Sequence, residues 1–153
     1  MVLISLILFK MKGDKIHYVI KNFEFMSTRC NVIVKENDSK FFQLYHHHDG
    51  YPEGVGTDLE EYIKQMDDDC LVDGKKFADF LCDPKHDDEY EYEGTNVCPH
   101  SDIEYLYIID LQKREISCFH LKLYASNVIM CKCIKNNSLD ELDFLIIEYK
   151  HTF

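Results

Sequence analysis

The sequence predicts an α+β domain in which two or three helices pack on one face of a mostly antiparallel sheet. Three observations predict it: short β-branched runs separated by turn residues, then two amphipathic helical patterns, then a return to period-two alternation. The length of 153 residues favours one domain. Because 46% of the residues are hydrophobic and 20 are tyrosine or phenylalanine, the chain can fill a core, which argues against intrinsic disorder.

The chain begins with an apolar run over residues 2–9. This run is too short for a membrane helix, which needs about 20 residues, and lysines follow it instead of preceding it as in a signal peptide. Two interpretations of residues 1–25 stay open. They form an extra hairpin that pairs 2–9 with 16–25, or a non-native extension ahead of a true start at Met26. Residues 26–153 then form the single α+β domain.

The first clear elements are two short strands, residues 30–35 (CNVIVK) and 40–45 (KFFQLY). Between them Glu-Asn-Asp-Ser supplies turn chemistry, so we predict an antiparallel hairpin. The second strand runs directly into three histidines. The hairpin therefore places these histidines at a strand end, beside the start of the first strand.

Two amphipathic helices are predicted next. Thr57 and Glu60 have the spacing of a capping box, which predicts a helix over about residues 57–68. A second, shorter helix starts near Asp73 and ends before Pro84. The apolar positions on one face are Leu59, Tyr62, Ile63 and Met66 in the first helix and Phe77, Phe80 and Leu81 in the second.

The second half of the chain predicts further strands. Residues 103–110 are apolar at both alternating sets of positions, so this strand is central in its sheet. A polar turn leads into a strand over 115–121, and residues 128–134 form a third strand of similar character. The tail over 138–149 fits either a helix behind another capping box or a strand. Helices on one face of a mostly antiparallel sheet form the simplest architecture.

The chain carries 28 acidic and 17 basic residues, a formal net charge of −11. The acids cluster in runs such as 67–69 and 87–89. This charge repels duplex nucleic acid, and no segment predicts a membrane partner. Two interpretations of the acidic runs remain. They are solvated loops that keep the protein in solution, or they mimic nucleic-acid charge and occupy a basic groove of another protein.

Seven cysteines are scattered without framework-like spacing and without a secretory signal, so we predict reduced thiols and a cytoplasmic location. Three short segments place two soft ligands at i and i+2, which also allows a zinc site. In the simpler interpretation, the cysteines of these segments are buried thiols and the histidines are ordinary strand residues. We therefore assign no metal and no cofactor. The pairs are Cys98 and His100, Cys118 and His120, and Cys131 and Cys133.

The segment 46–56, HHHDGYPEGVG, concentrates the residues of special chemistry. Its three glycines let the backbone approach a ligand, and it leads into a predicted helix N-terminus, a combination that favours anions. Arg29 lies beside it in the predicted hairpin. The simpler interpretation is a tight loop, and the neighbouring carboxylates weaken an anion site. The predicted ligand-binding residues are Arg29, His46, His47, His48, Asp49, Gly50, Tyr51, Gly54, Gly56 and Thr57.

One stretch of this region also matches a known pattern. Thr28-Arg29, followed by His47-His48-Asp49-Gly50-Tyr51-Pro52-x-Gly54-x-Gly56, resembles a family of small phage and bacterial proteins. Members of that family begin Ser-Thr-Arg and carry an H-[H/W]-D-G-Y-P-x-G element. The likeness covers about residues 26–70. It implies a start at Met26 and a phage or mobile-element setting.

These features predict a non-enzymatic binding protein with a phage counter-defence role in the host cell cytoplasm. Its partner is a nucleotide-like anionic small molecule that it sequesters, or a basic host protein that its acidic surface blocks. The sequence contains no GxSxG, GxxxxGK[ST], GxGxxG, HExxH or CxxC signature. The alternative is a metal-assisted hydrolase or nuclease in which His47 or His48 is the general base and Asp49 orients it or binds the metal.

Overall fold

A computed structural model describes residues 28–86, 89–100, 102–121 and 145–153, and it contains a six-stranded sheet. The strand order is β3-β2-β1-β4-β5-β6, with β1 and β4 parallel and the other four pairings antiparallel. The predicted α+β class is confirmed. The strands are β1 (Cys30–Asn37), β2 (Lys40–His46), β3 (Tyr90–Thr95), β4 (Tyr105–Asp110), β5 (Glu115–Leu121) and β6 (Leu145–Thr152).

The predicted hairpin is β1 and β2. Its turn uses Asn37, whose side-chain oxygen accepts hydrogen bonds from the Ser39 amide at 3.0 Å and the Ser39 hydroxyl at 2.8 Å. The register pairs Cys30 with His46, so the first residue of one strand faces the last residue of the other. The histidine segment therefore leaves the sheet beside the start of β1, as the sequence predicts.

The predicted central strand is β4, which pairs with β1 on one side and β5 on the other. All but the first of its six residues are buried. The turn into β5 includes Arg114 in the left-handed region, with φ of 54°. Burial on both faces explains why this strand has no polar side in the sequence.

The two predicted helices are α1 (Thr57–Gln65) and α2 (Gly74–Leu81). The start of α2 is capped by Asp73, whose carboxylate accepts hydrogen bonds from the amides of Lys75 at 3.0 Å and Lys76 at 3.1 Å. The first helix ends at Gln65, three residues before the predicted end, because Met66 has extended dihedral angles.

The capping box predicted at Thr57 is wrong. A π-helical turn, Pro52–Gly56, leads straight into α1, so the residue before Thr57 already has helical dihedral angles. The Thr57 hydroxyl donates back to the Pro52 carbonyl at 3.3 Å instead of capping free amides. The helical segment thus starts five residues earlier than the capping pattern predicts.

Apolar residues are buried on both faces of the sheet. The face that carries the helices buries Val32, Val34, Leu44, Leu59, Ile63, Phe77, Leu81, Tyr107 and Ile109, among others. The opposite face, called the second face below, buries Ile33, Phe41, Tyr45, Ile103, Leu106, Ile108, Phe119 and Leu121. Each fully buried aliphatic side chain stabilises the fold by roughly 1.5–3 kcal/mol.

The two edge strands, β3 and β6, differ in how well the sequence predicted them. The edge strand β3 was not predicted, and the tail is a strand over Leu145–Thr152, one of its two predicted alternatives. The predictions for residues 1–25 and 128–134, and the helical alternative that starts at residue 138, lie outside the described residues. Across the parts of the chain that the structure describes, no helix has the length and apolar character needed to cross a membrane.

Candidate functional site

The loop after β2 is fastened to the start of β1. The Gly50 amide donates to the Thr28 carbonyl at 2.9 Å, and its own carbonyl accepts from the Tyr107 hydroxyl at 2.8 Å. A Cβ at Gly50 would lie 2.9 Å from the Cβ of Cys30. Burial raises the pKa of Tyr107 far above its usual range, so this phenol stays a neutral donor. Contacts within the protein, with Thr28, Cys30 and Tyr107, therefore hold the loop at Gly50.

The other loop glycines also face atoms of this chain. Asp49 adopts a left-handed conformation with φ of 51°, and its carbonyl accepts from the Val55 amide at 2.9 Å. A Cβ at Gly54 would come within 2.2 Å of that carbonyl oxygen, and one at Gly56 within 2.8 Å of the Tyr149 hydroxyl. The close approach of backbone and side chains explains both glycines without a ligand.

The predicted anion site at the N-terminus of α1 is arranged differently in the structure. The Thr57 amide donates to the carbonyls of Pro52 and Gly54. Pro52 is the first residue of the helical segment and has no backbone N–H donor. Tyr51 precedes it, and its hydroxyl donates to the Asp49 carboxylate at 3.1 Å. The start of α1 therefore does not present a row of free amides at Thr57.

The first histidine, His46, is buried on the helix-bearing face. It donates from Nδ1 to the His48 carbonyl at 2.5 Å, and its ring lies 4.6 Å from that of Tyr90. Its Nε2 is 3.7 Å from a carboxylate oxygen of Glu89. His46 thus anchors the loop to the core, while the backbone bend brings His48 back over it.

The second histidine, His47, points to the other face, as an extended chain requires. Its Nε2 lies 3.2 Å from a carboxylate oxygen of Glu91, and its ring is 4.5 Å from that of Tyr45. An open surface depression lies at this corner of the sheet. It is lined by His47, His48, Glu89, Tyr90 and Glu91.

The predicted arginine is paired with a carboxylate that the sequence did not point to. The Arg29 guanidinium donates to Asp102 at 2.5 Å, across the connection from β3 to β4. Arg29 lies beside the loop in the backbone, as predicted, because its neighbour Thr28 bonds Gly50. Its charge is balanced by the chain itself.

A polar cluster on the second face was missed by sequence reasoning. Its centre is Glu93, whose side chain is only 16% exposed and accepts hydrogen bonds from Asn31 at 3.1 Å and Gln43 at 2.6 Å. The second Glu93 oxygen contacts Nε2 of His100. The His100 amide donates to the Asn31 side chain at 2.8 Å. A β-bulge in the β2–β3 pairing coincides with Glu93, which sits inward over the sheet.

The two imidazole–carboxylate pairs flank one tyrosine. The Tyr45 ring lies 4.5 Å from that of His47 and 4.6 Å from that of His100. Burial, and secondarily the charge of a nearby aspartate, raises the pKa of Tyr45. We call this set the imidazole–carboxylate row. It consists of Glu91, His47, Tyr45, His100 and Glu93.

The cysteine and histidine pairs do not gather into a metal centre within the described residues, where no three His, Cys, Asp or Glu side chains could hold an ion together. Burial raises the pKa of the Cys118 thiol to about 12, and His120 lies 3.4 Å from Glu148. Cys131 and Cys133 lie outside the described residues. In the described part, the cysteines that form no disulfide are Cys30, Cys70, Cys82, Cys98 and Cys118.

The site and the fold together define an α+β protein with carboxylates and imidazoles interleaved at one end of its sheet. Comparisons with protein-family models, with curated proteins and with solved structures find no match to this chain.

Proposed function

We propose that this chain is a non-enzymatic binding protein that contacts a basic surface of another protein through the acidic, histidine-bearing end of its sheet. One observation carries the proposal: three basic groups of the predicted site each lie beside a carboxylate. The pairs are Arg29 with Asp102 at 2.5 Å, His47 with Glu91 at 3.2 Å and His46 with Glu89 at 3.7 Å.

This pairing favours a cationic partner over an anionic small molecule. An anion would have to displace carboxylates from Arg29 and His47, and it would meet a chain of formal net charge −11. A cation would meet the carboxylates of Glu89, Glu91 and Asp102, whose side chains are 44%, 67% and 44% exposed. The glycines, which suggest an anion cradle in the sequence, contact this chain's own atoms instead.

The proposed setting follows from the resemblance over residues 26–70. In a phage or mobile element, a small acidic protein that occupies a basic groove of a host protein acts in counter-defence in the host cell cytoplasm. Complementary charge would also speed the encounter with such a partner. The metal-assisted hydrolase is less well supported, because Asp49 accepts from Tyr51 while His47 faces Glu91.

Calorimetric titration with simple probes tests the class of partner. We expect pentalysine to bind at low ionic strength and to weaken as salt is added, because surface charges are screened. We expect neither ATP nor inorganic phosphate to bind. Binding of ATP or phosphate without binding of pentalysine would show that the site is an anion site and that the proposal is wrong.

A further inference from the structure

We infer that the imidazole–carboxylate row accepts two cationic side chains from one extended segment of a basic partner, with an arginine at Glu93. This inference rests on the proposed function and adds to it the spacing and the identity of the partner's residues. In the free protein, His47 and His100 occupy the two carboxylates in place of the partner's cations.

The spacing follows from β3. Glu91 pairs in register with Tyr45, a residue of the second face, and Glu93 contacts the second-face residue Gln43, so both carboxylates lie on one face. Alternate side chains of an extended chain point the same way and lie about 6.6–6.8 Å apart. A partner with cations at alternating positions therefore matches the two carboxylates on either side of the Tyr45 ring.

Arginine at Glu93 is favoured by one buried acceptor that has no hydrogen-bond partner, Oε1 of Gln43. Gln43 is 1% exposed, and its amide orientation is fixed because Nε2 donates to Glu93 and to the Cys98 carbonyl. Unmet buried acceptors are costly and rare, so a partner's donor that reaches this oxygen would stabilise the complex.

An imidazole has two ring nitrogens at most to offer, whereas a guanidinium has five N–H donors in a rigid fork. Once the His100 ring swings away from Glu93, a guanidinium in its place would bond that carboxylate and keep further N–H donors for the unmet Gln43 oxygen. Lysine, with a single ammonium group, fits the cluster less well.

Access to the row is from the second face. The side chains of Glu91, His47 and His100 are 67%, 51% and 44% exposed, so each can move without unfolding the sheet. The backbone edge of β3 is a poorer docking surface, because the bulge and Gly94, with φ of 141°, twist it and its glutamates are charged. The partner segment therefore lies over the side chains and does not add a strand.

The spacing is tested with two five-residue peptides of the same composition, glycine with two arginines, titrated into ¹⁵N-labelled protein by NMR. One peptide has arginine at its second and fourth positions, the other at its second and third. We expect the alternating peptide to bind about tenfold more tightly, the ratio for one charge-assisted hydrogen-bonded pair. The same peptide with lysines should bind more weakly than the arginine form.

Three variants separate the row from general charge attraction. Glu91→Gln should weaken binding of the alternating peptide, whereas Asp68→Asn, a matched change in the exposed acidic run between α1 and α2, should not. His100→Ala should strengthen binding, because it removes the group that competes for Glu93. A merely structural His100 would not give that gain.

The outcomes distinguish the inference from the proposed function. If alternating and adjacent arginines bind equally, or His100→Ala weakens binding, the row is not the site, although a basic partner remains supported. If neither peptide binds and pentalysine also fails to bind, both the inference and the proposed function are wrong.

Discussion

Replacing Gly54 by alanine tests whether the loop glycines serve the fold or a ligand. The new methyl group would lie 2.2 Å from the Asp49 carbonyl oxygen, a backbone atom that cannot turn aside as a flexible side chain can. Forced overpacking costs roughly 1–3 kcal/mol, and loss of the hydrogen bond from the Val55 amide to that oxygen adds about 1 kcal/mol. We therefore expect the free energy of unfolding to fall by about 3 kcal/mol.

For a chain of this size, such a loss lowers the melting temperature by about 6–12 °C. Thermal unfolding followed by circular dichroism measures it, with Glu53→Ala as the control because Glu53 is an exposed neighbour in the same turn. The control should stay within about 0.5 kcal/mol of the parent. An unchanged melting temperature for Gly54→Ala, together with loss of binding to ATP or phosphate, would refute the packing argument and restore the glycine loop as an anion site.

Two further predictions concern thiols and pH. Burial raises the pKa of both Cys30 and Cys118, so we expect neither to react with Ellman's reagent at pH 8 until denaturant is added, when all seven cysteines should react; fewer than seven would reveal a disulfide or bound metal. The hydrogen bond from Lys35 lowers the pKa of Asp38, so its stabilising effect is present above the ordinary carboxyl range and is lost as pH falls through the lowered pKa. Urea denaturation between pH 3 and 6 should show this loss in the parent and a shallower dependence in Asp38→Asn.

The elements that local pattern determines were predicted from the sequence. The β1–β2 hairpin has β-branched runs on either side of an Asn-Asp turn, and β4 is apolar on both faces, so each carries its own signal. The edge strand β3 has little apolar content and contains Gly94 beside a bulge, and its strand state depends on pairing with β2. Tertiary context therefore determines β3, and no local signal identifies it.

The candidate site was predicted in its backbone but not in its charge partners. The closeness of Arg29 to the histidine loop follows from hairpin register, which the sequence indicates. Its carboxylate, Asp102, comes from the connection between β3 and β4, and the sequence contains no signal for that crossover. The capping pattern at Thr57 failed because the preceding glycines and proline allow a π-helical turn, which extends the helix backwards.

The single parallel pairing among the described strands, between β1 and β4, divides the sheet into two antiparallel halves, β3-β2-β1 and β4-β5-β6. Within each half, the hairpins β1–β2 and β4–β5 join strands that follow each other closely in the chain and can form early during folding. The β1–β4 seam, which begins at the pairing of Cys30 with Tyr105, closes only after the chain has passed through both helices and β3. The entropic cost of closing this long loop therefore comes before its contacts can form. Folding of this protein is therefore expected to be limited by the docking of two preformed halves, and substitutions along the seam should slow refolding more than substitutions within either hairpin.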